Sequence, residues 1–272
     1  MELINLDTPL PDKDIITIDT DRIKATDSYT KPPTVLMIDN ISKMTRGGIS
    51  CFSGIAKSRK TTALTIAVAD VITGNSTGAK FKPMAKGLGW ADTEQSPFES
   101  FEVTQRLERI AGSEDGLFFY NFRRYGPKVR IKKIQKMLED HGKDMSLLVI
   151  DGVRDLVYDF NDAKECTEIT SMLMAWTIDY DLHISVVLHA NKGDGFMRGH
   201  LGTELENKSQ LVFKVTQNEG AYKDVSTVSE TFGRGRNIED FEIKINKKGL
   251  PEVVGESLID LPTEDKAPWD TN

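Results

Sequence analysis

The chain has 272 residues, 39% of them hydrophobic and 28% charged, with a formal net charge of −7, which predicts a soluble globular protein of one large or two small domains. No apolar run reaches about 18 residues, which excludes a transmembrane helix, and the acidic start lacks a signal-peptide pattern, so a cytoplasmic location is expected. The two cysteines, Cys51 and Cys166, lie far apart in sequence and exclude a disulfide framework and a zinc site.

The charge is unevenly distributed along the chain. Residues 1–30 have a net charge of −4 and residues 251–272 a net charge of −5, so the middle of the chain is slightly basic. We therefore interpret 1–30 as an acidic N-terminal arm and 251–272 as an acidic C-terminal tail on either side of a folded domain, 31–250. Basic groups of the middle could line one surface, so the acidic balance does not exclude a nucleic-acid partner.

Apolar runs alternate with helical patterns through this middle part. Strands are predicted at Thr34–Ile38, Ile49–Ser53, Gly87–Ala91, Leu117–Phe122, Ser146–Ile150 and Ile184–Leu188. Helices are predicted from Ala63 to about Thr73, and at Pro97–Ala111, Lys128–His141 and Ala163–Tyr180. A turn is expected at Met44–Gly48, and loops are expected at Gly74–Lys86 and Asn191–Gly202.

Three later runs, Leu211–Thr216, Val225–Phe232 and Phe241–Ile245, alternate in polarity and predict antiparallel strands. The alternation of strands and helices before them implies βαβ units. The expected fold is therefore α/β, with a mostly parallel central sheet, helices on both faces and antiparallel strands at the C-terminal end.

Residues Gly54–Thr62, which we call the 54–62 segment, follow a predicted strand and precede a predicted helix. Gly54, Lys60 and Thr61 match the P-loop spacing G-x-x-x-x-G-K-[ST], but Arg59 stands where the second glycine is expected. In a P-loop, backbone N–H groups at the helix N-terminus bind phosphate, the lysine reaches the β- and γ-phosphates, and the hydroxyl binds Mg²⁺. The alternative is a Lys-rich turn that binds nothing.

The P-loop interpretation predicts a set of residues that bind ATP. They are Gly54, Ile55, Ala56, Lys57, Ser58, Arg59, Lys60, Thr61 and Thr62. The Arg59 side chain could crowd the phosphates, point outward, or add a positive charge to them.

Polar residues follow three further predicted strands, and ligands of open α/β sheets bind outside the carboxyl ends of the strands. Asp151 ends an apolar strand in the Walker B arrangement and would hold Mg²⁺ together with Thr61. Glu94 could orient and deprotonate the attacking water. His189 and Asn191 could contact the γ-phosphate or the water. The alternatives are a helix-capping Asp, a solvated Glu and a core His.

The order Gly54, Lys60-Thr61, Asp92-Thr93-Glu94, the strand ending in Asp151, and then a His/Asn strand end and a Gly-rich loop resembles the RecA-like P-loop ATPases. The resemblance is closest to RepA-type hexameric helicases and related mobile-element ATPases, on the stretches 57–61 and 198–205, and it covers about 47–251. It implies a RecA-like core, ATP and Mg²⁺ as cofactors, assembly into a ring or filament, and DNA as partner. It implies that Lys60 binds phosphate, that Thr61 and Asp151 bind Mg²⁺, and that Glu94 activates the attacking water.

Other charged groups have open assignments. Arg234 and Arg236 could be arginine fingers offered to a neighbouring subunit, or part of a charged hairpin turn. The Gly-rich loop contains cationic, donor and aromatic groups that could bind single-stranded DNA, namely Lys192, Phe196, Arg198 and His200. The resemblance implies that this loop faces a central channel and touches DNA. The basic stretch Arg123–Lys136, with aromatics before it, could bind a nucleic-acid backbone or be a solvated helix face.

The expected function is a homo-oligomeric ATPase that acts on or with DNA, as a helicase, a loader or a mobilisation accessory. A weakly hydrolysing nucleotide-dependent scaffold without DNA binding is the main alternative. A small-molecule kinase is less favoured, because the loop Gly74–Lys86 is poor in the arginines that a kinase lid usually contains.

Overall fold

The computed structural model describes residues 22–190, 197 and 199–255. The chain divides between Lys31 and Pro32 into two compact units. In the first unit, the described residues 22–31 form neither a helix nor a strand. The predicted arm over 1–21 and the tail beyond 255 lie outside the described residues.

The second unit contains strands and helices that alternate along most of its length. The strands are β1 Thr34–Ile38, β2 Ile41–Thr45, β3 Ile49–Gly54, β4 Phe81–Pro83, β5 Leu88–Asp92, β6 Leu117–Asn121, β7 Leu147–Asp151, β8 His183–His189, β9 Leu211–Gln217, β10 Val225–Gly233, β11 Phe241–Ile245 and β12 Pro251–Val253. The α-helices are α1 Lys60–Val68, α2 Pro97–Ala111, α3 Pro127–His141, α4 Ala163–Asp179 and α5 Gly199–Lys208. Within the described ranges, none of the helices is long and apolar enough to cross a membrane.

Nine of these strands form one mixed sheet, in the order β12-β11-β10-β9-β3-β8-β7-β5-β6. The neighbours from β9 to β6 run parallel, and β9 to β12 pair antiparallel. The predicted α/β class, the mostly parallel sheet and the antiparallel C-terminal strands are therefore confirmed.

Both faces of this sheet are covered by helices, as predicted. One hydrophobic cluster joins Leu64 of α1 and Leu107 of α2 to the sheet, and a second joins Ile134 of α3, Leu173 of α4 and Leu205 of α5. Every residue of β7 is buried, which explains its continuous apolar sequence, since a central parallel strand has no face in water.

A second, three-stranded sheet has the order β2-β1-β4 and is antiparallel. Two expectations are corrected here: Met44 and Thr45 belong to β2 rather than to a turn, and Phe81–Pro83 of the expected 74–86 loop forms β4. Strand β2 pairs with the adjacent β1, as Ile38 with Ile41, whereas β4 depends on a pairing distant in sequence, such as Leu36 with Pro83.

Two further expectations at loops and ends are corrected. Pro251–Val253 forms the edge strand β12, in which Val253 pairs with Ile243, although the tail was expected to begin at 251. Residues 199–202, expected in a Gly-rich loop, begin helix α5, because Leu201 and Leu205 both bury their side chains in the core.

Candidate active site

Strand register brings the sequence-predicted residues to one edge of the large sheet. Gly54 at the end of β3 pairs with His189 at the end of β8. Asp151 at the end of β7 pairs with Val187 of β8 and also with Asp92 at the end of β5. The carboxyl ends of four neighbouring parallel strands therefore meet beside the 54–62 segment, where ligands of this fold class bind.

The 54–62 segment turns sharply from β3 into α1. A Cβ atom at Gly54 would lie 2.4 Å from the Val215 carbonyl oxygen and 2.5 Å from Ser58 Oγ, so only glycine fits there. Ser58 is fully buried, and its hydroxyl has no hydrogen-bond partner among the described residues. Such a hydroxyl costs about 1–3 kcal/mol unless a partner arrives, and a phosphate oxygen could accept its hydrogen bond.

Arg59, which stands where the P-loop spacing has its second glycine, has a left-handed backbone conformation. Its φ is 69° and its ψ is 35°, in the left-handed region that glycine adopts most easily. Its side chain points away from the segment, because Nη1 donates to the Lys223 carbonyl and to Ser226 Oγ, each at 3.1 Å. Of the three orientations that the sequence left open, the structure therefore shows the outward one.

Helix α1 begins directly after Arg59, which provides no side-chain cap. The first N–H groups of a helix have no partner within the helix, and together with the helix dipole they favour an anion. The N-terminus of α1 therefore has backbone donors suited to phosphate.

Lys60, the first residue of α1, is nearly buried. Its Nζ donates to the Ile55 carbonyl at 3.0 Å and lies 3.2 Å from His189 Nδ1. Burial lowers the pKa of Lys60, while the charges of Glu94 and Asp151 act in the opposite direction. The ammonium group thus lies between the segment and the end of β8.

Thr61 and Asp151 are in direct contact, since the Thr61 hydroxyl donates to Asp151 Oδ2 at 2.9 Å. Gln95 Nε2 donates to the same oxygen at 3.2 Å. Burial, and then the charge of Asp92, raise the pKa of Asp151 to about 7. A cation at this position would favour the ionised carboxylate and reverse that effect.

Glu94 lies just beyond β5 and is joined to β8 by a hydrogen bond with His189. Glu94 Oε1 is 3.1 Å from His189 Nε2, and this bond is the main cause that lowers the pKa of Glu94. Because an ammonium group can only donate, Lys60 requires His189 Nδ1 to accept, and so Nε2 bears the proton and donates to Glu94. Both side chains are partly exposed, so water can reach the carboxylate.

Asp92 and Gln95 belong to the candidate site, and the sequence did not predict their contacts with its other residues. The buried Asp92 carboxylate accepts from the backbone N–H groups of Glu94 and Gln95 and from the hydroxyl of Ser100. These bonds shape the turn that presents Glu94. The signal was present in Asp92-Thr93-Glu94-Gln95, because an Asp before a turn commonly accepts from the next N–H groups.

Arg130 was grouped with the basic stretch, but the structure gives its guanidinium an internal role. It donates to the carbonyl oxygens of Thr93, Phe122, Arg123 and Asp155. It therefore joins the loops after β5, β6 and β7. Elsewhere in the stretch, Lys133 lies over the rings of Tyr125 and Phe122, so basic and aromatic groups are in contact there.

Arg234 and Arg236 are not brought to this edge. Gly233 pairs with Leu211 at the start of β9, and the Arg234 N–H donates to the Gln210 carbonyl. Both arginines are exposed at the opposite edge of the sheet from Gly54. Ser50, the partner of Leu211 in β3, is four residues before Gly54, roughly 13 Å along the strand, so neither guanidinium reaches its own 54–62 segment.

The predicted DNA-binding loop lies mostly outside the described residues. Asn191, Lys192, Phe196 and Arg198 are not among them. His200 is described, and it lies exposed in the first turn of α5.

The residues present suit a Mg²⁺–nucleotide better than a free metal ion. In the described ranges, no group of three or more His, Cys, Asp or Glu side chains could hold a metal. Mg²⁺ usually takes only one or two carboxylates and completes its shell with water and substrate phosphates. One carboxylate, one hydroxyl and the nearby N-terminus of α1 are compatible with that requirement.

The fold and these contacts define an α/β protein with titratable and hydroxyl groups collected at the carboxyl edge of a mostly parallel sheet. No protein-family model matches the sequence, and no curated protein matches it significantly. The function of this chain is therefore inferred from the geometry of this edge.

Proposed function

We propose that this protein is a Mg²⁺-dependent ATPase of the RecA-like P-loop class that acts on or with DNA, as a helicase, a loader or a mobilisation accessory. One observation supports the proposal above all. Lys60, the Thr61–Asp151 pair and the Glu94–His189 pair are collected around one strand-to-helix segment at one edge of the sheet. Each group has a separate task in phosphoryl transfer to water.

The 54–62 segment would bind the phosphates. The backbone donors at the start of α1 and the Lys60 ammonium would contact phosphate oxygens, and Lys60 would exchange its bond to the Ile55 carbonyl for that contact. The buried Ser58 hydroxyl would gain the partner that it otherwise lacks among the described residues. Because Arg59 points outward, its side chain leaves the segment free for a ligand.

Thr61 and Asp151 would hold the metal ion. Bound Mg²⁺ supplies charge neutralisation on the β- and γ-phosphates. Asp151 must lose its proton to act as a ligand, so the residues that surround it favour metal binding near and above neutral pH.

Glu94 would orient a water molecule and accept its proton. The water oxygen forms a bond to the γ-phosphorus, the bond from that phosphorus to the β-bridging oxygen breaks, and the products are ADP and phosphate. The hydrogen bond from His189 keeps Glu94 ionised and fixes its direction. Both parts of this role, orienting the water and accepting its proton, need the ionised carboxylate.

A homo-oligomer, as a ring or filament, and single-stranded DNA are the partners in this proposal. The position of Arg234 and Arg236 supports the first, because these arginines can reach a nucleotide only in another subunit. DNA is inferred from the resemblance of the sequence and from the cationic and aromatic residue types of 191–202.

The proposal is tested by measuring ATP binding and hydrolysis with and without Mg²⁺ and single-stranded DNA. Lys60→Ala should weaken ATP binding about tenfold or more, because hydrogen bonds to charged groups contribute about 1.5–3 kcal/mol. Lys247 is an exposed lysine in the turn after β11, so Lys247→Ala is the matched control and should bind ATP with the affinity of the parent.

Equal affinity of the parent and Lys60→Ala would overturn the ATPase proposal. ATP binding with slow hydrolysis and no response to DNA would instead favour the nucleotide-dependent scaffold. Stimulation of hydrolysis by DNA would support the DNA-directed ATPase.

A further inference from the structure

The order of the strands determines which way a nucleotide would lie, if the proposed function holds. Strand β3, which leads into the 54–62 segment, has β8 on one side and β9 on the other. His189, Asp151 and Glu94 all belong to the β8 side. A γ-phosphate directed toward these residues places the nucleoside on the opposite side, beside the end of β9.

The connection between β9 and β10, residues 218–224, lies on that opposite side and is fixed to the 54–62 segment. Arg59 Nη1 donates to the Lys223 carbonyl and Ser226 Oγ, and Nη2 lies 3.9 Å from Asp224 Oδ1. Gln217 Nε2 donates to the same Lys223 carbonyl at 2.9 Å. We call residues 218–224 the 218–224 hairpin loop.

These contacts give a reason for an arginine at a position that favours glycine. A side chain with a positive φ is strained relative to glycine. The strain at Arg59 is accompanied by hydrogen bonds that only a long donor side chain can make to the hairpin loop. A glycine would remove the strain, but it would also release the loop from α1.

The hairpin loop presents Tyr222 at the end of a short 3₁₀ turn, Gly220–Tyr222. Tyr222 is 70% exposed, and within the described chain its ring stacks on no other aromatic ring. It borders an open depression of about 570 Å³, whose other walls include Gln217, Asn218 and Glu242. Depressions of roughly 300–1,000 Å³ are of the size that holds small ligands.

We propose that Tyr222 and the depression beside it form the base-binding subsite for a nucleoside triphosphate, with the Tyr222 ring stacked on the base. Arg59 is a positioning residue, which holds the 218–224 hairpin loop next to the phosphate-binding segment. The inference rests on the proposed function, since it locates the base of the same nucleotide. It adds a recognition surface that the P-loop spacing does not contain.

The test compares MgATP with Mg-tripolyphosphate, which has the phosphates but no base, by titration calorimetry. Tyr222→Ala should weaken ATP binding about tenfold, a loss typical of an aromatic ring that stacks on a base, and should leave tripolyphosphate affinity unchanged. Tyr222→Phe retains the ring and should bind ATP like the parent. Tyr29→Ala is the matched control, because Tyr29 is 71% exposed and is not among the residues that line the depression.

Arg59→Gly separates positioning from phosphate binding. It restores the P-loop glycine, so tripolyphosphate affinity should be maintained or increased, while the preference for ATP over tripolyphosphate should fall several-fold. A general loss of structure would instead lower both affinities together.

Equal losses for the two ligands in Tyr222→Ala, or an unchanged ATP affinity, would overturn the base subsite. If Lys60→Ala loses both ligands while Tyr222→Ala loses neither, the phosphate site stands and the base subsite is wrong. If the parent binds neither ligand, the proposed function fails and the base subsite fails with it.

Discussion

The Nε2 atom of His189 lies 3.1 Å from Oε1 of Glu94, so the last residue of β8 contacts the carboxylate that follows β5. The other ring nitrogen lies 3.2 Å from Lys60 Nζ. One imidazole therefore joins the lysine expected to bind phosphate to the carboxylate expected to handle water. If Lys60 bound a γ-phosphate, its contact with His189 would change. The hydrogen bond between His189 and Glu94 would then be affected as well.

The first prediction concerns Glu94→Gln, which keeps the shape of the side chain and removes the proton acceptor. ATP affinity should stay within about twofold of the parent, and turnover should fall about 10²-fold or more, since general-base catalysis typically contributes that much. Steady-state hydrolysis and equilibrium binding are measured on the same preparation. Glu108→Gln, on the exposed side of α2, is the control. Unchanged turnover would assign the water to another group.

The parallel part of the fold could be predicted from sequence because its strands are continuous apolar runs. Pro97 was predicted to begin a helix, and α2 begins there, with a reciprocal capping pair between Ser96 and Glu99. Strands β2, β4 and β12 were missed because they have only three to five residues. Strand β4 also depends on a partner distant in the chain, β1, whereas β2 and β12 pair with the strands just before them, β1 and β11. Local pattern contains little information about such edges.

For the candidate site, too, the sequence predicted some residues but not the contacts between residues distant in the chain. Lys60, Thr61, Asp151 and His189 could be found because each follows a strand in a recognisable spacing. The direction of the Arg59 side chain could not be found, since its partner Ser226 is 167 residues away in sequence. Arg130 stands among other basic residues, and only the fold shows that it contacts carbonyl oxygens of three loops.

The second prediction is a pH dependence of stability that originates at His183. This imidazole is fully buried, with Nδ1 2.9 Å from the Thr45 carbonyl and Nε2 2.9 Å from Ser50 Oγ, and burial lowers its pKa from the ordinary 6.5 to about 4. Between these values the unfolded chain binds a proton that the folded chain does not. Stability from this group is therefore complete above about pH 6.5 and is lost as the pH falls toward 4.

Between pH 7 and pH 5 the free energy of unfolding should fall by about 2 kcal/mol on account of His183. Urea denaturation across this range measures the fall. His183→Gln, which cannot titrate, should have a correspondingly smaller slope, although its stability at pH 7 is lower. The exposed His200→Gln should keep the parental slope. The same slope in His183→Gln and the parent would contradict the assignment.

The third prediction concerns the buried ion pair of Lys43 and Glu230, whose side chains are each 1% exposed. Lys43 Nζ lies 2.7 Å from both carboxylate oxygens and also donates to the Arg236 carbonyl. Glu230 accepts from the Ile238 N–H at 3.0 Å. The pair thus joins β2 to β10 and fixes residues 233–238, which we call the arginine segment.

Lys43→Met should lower the free energy of unfolding by about 3–5 kcal/mol, because it leaves a buried carboxylate without its partner. The double variant Lys43→Met/Glu230→Leu should recover most of that loss, since apolar groups of similar size replace both charges. Lys136→Met, in an exposed pair with Asp140, should leave the free energy of unfolding nearly unchanged. Denaturant unfolding measures all three, and a double variant no more stable than Lys43→Met would contradict this account.

The last prediction is that the arginine segment acts on the nucleotide of a neighbouring subunit. Arg234 and Arg236 lie exposed at the sheet edge opposite Gly54, out of reach of their own 54–62 segment. An arginine supplied in trans can contribute about 10³-fold or more to the rate. Arg236→Ala should therefore bind ATP normally and hydrolyse it poorly, while Lys60→Ala should bind ATP weakly.

Mixing these two inactive chains is the decisive measurement. In a closed, symmetric oligomer assembled at random from equal amounts, about one site in four combines an intact Lys60 with a neighbour's intact Arg236. Activity should therefore return to roughly a quarter of the parental value, in mixtures whose assembly is verified by ultracentrifugation. Lys60→Ala mixed with Lys60→Ala/Arg236→Ala contains no intact Lys60 and should stay inactive. If neither Arg236→Ala nor Arg234→Ala is rescued in any mixture, sharing of the site through these arginines is wrong.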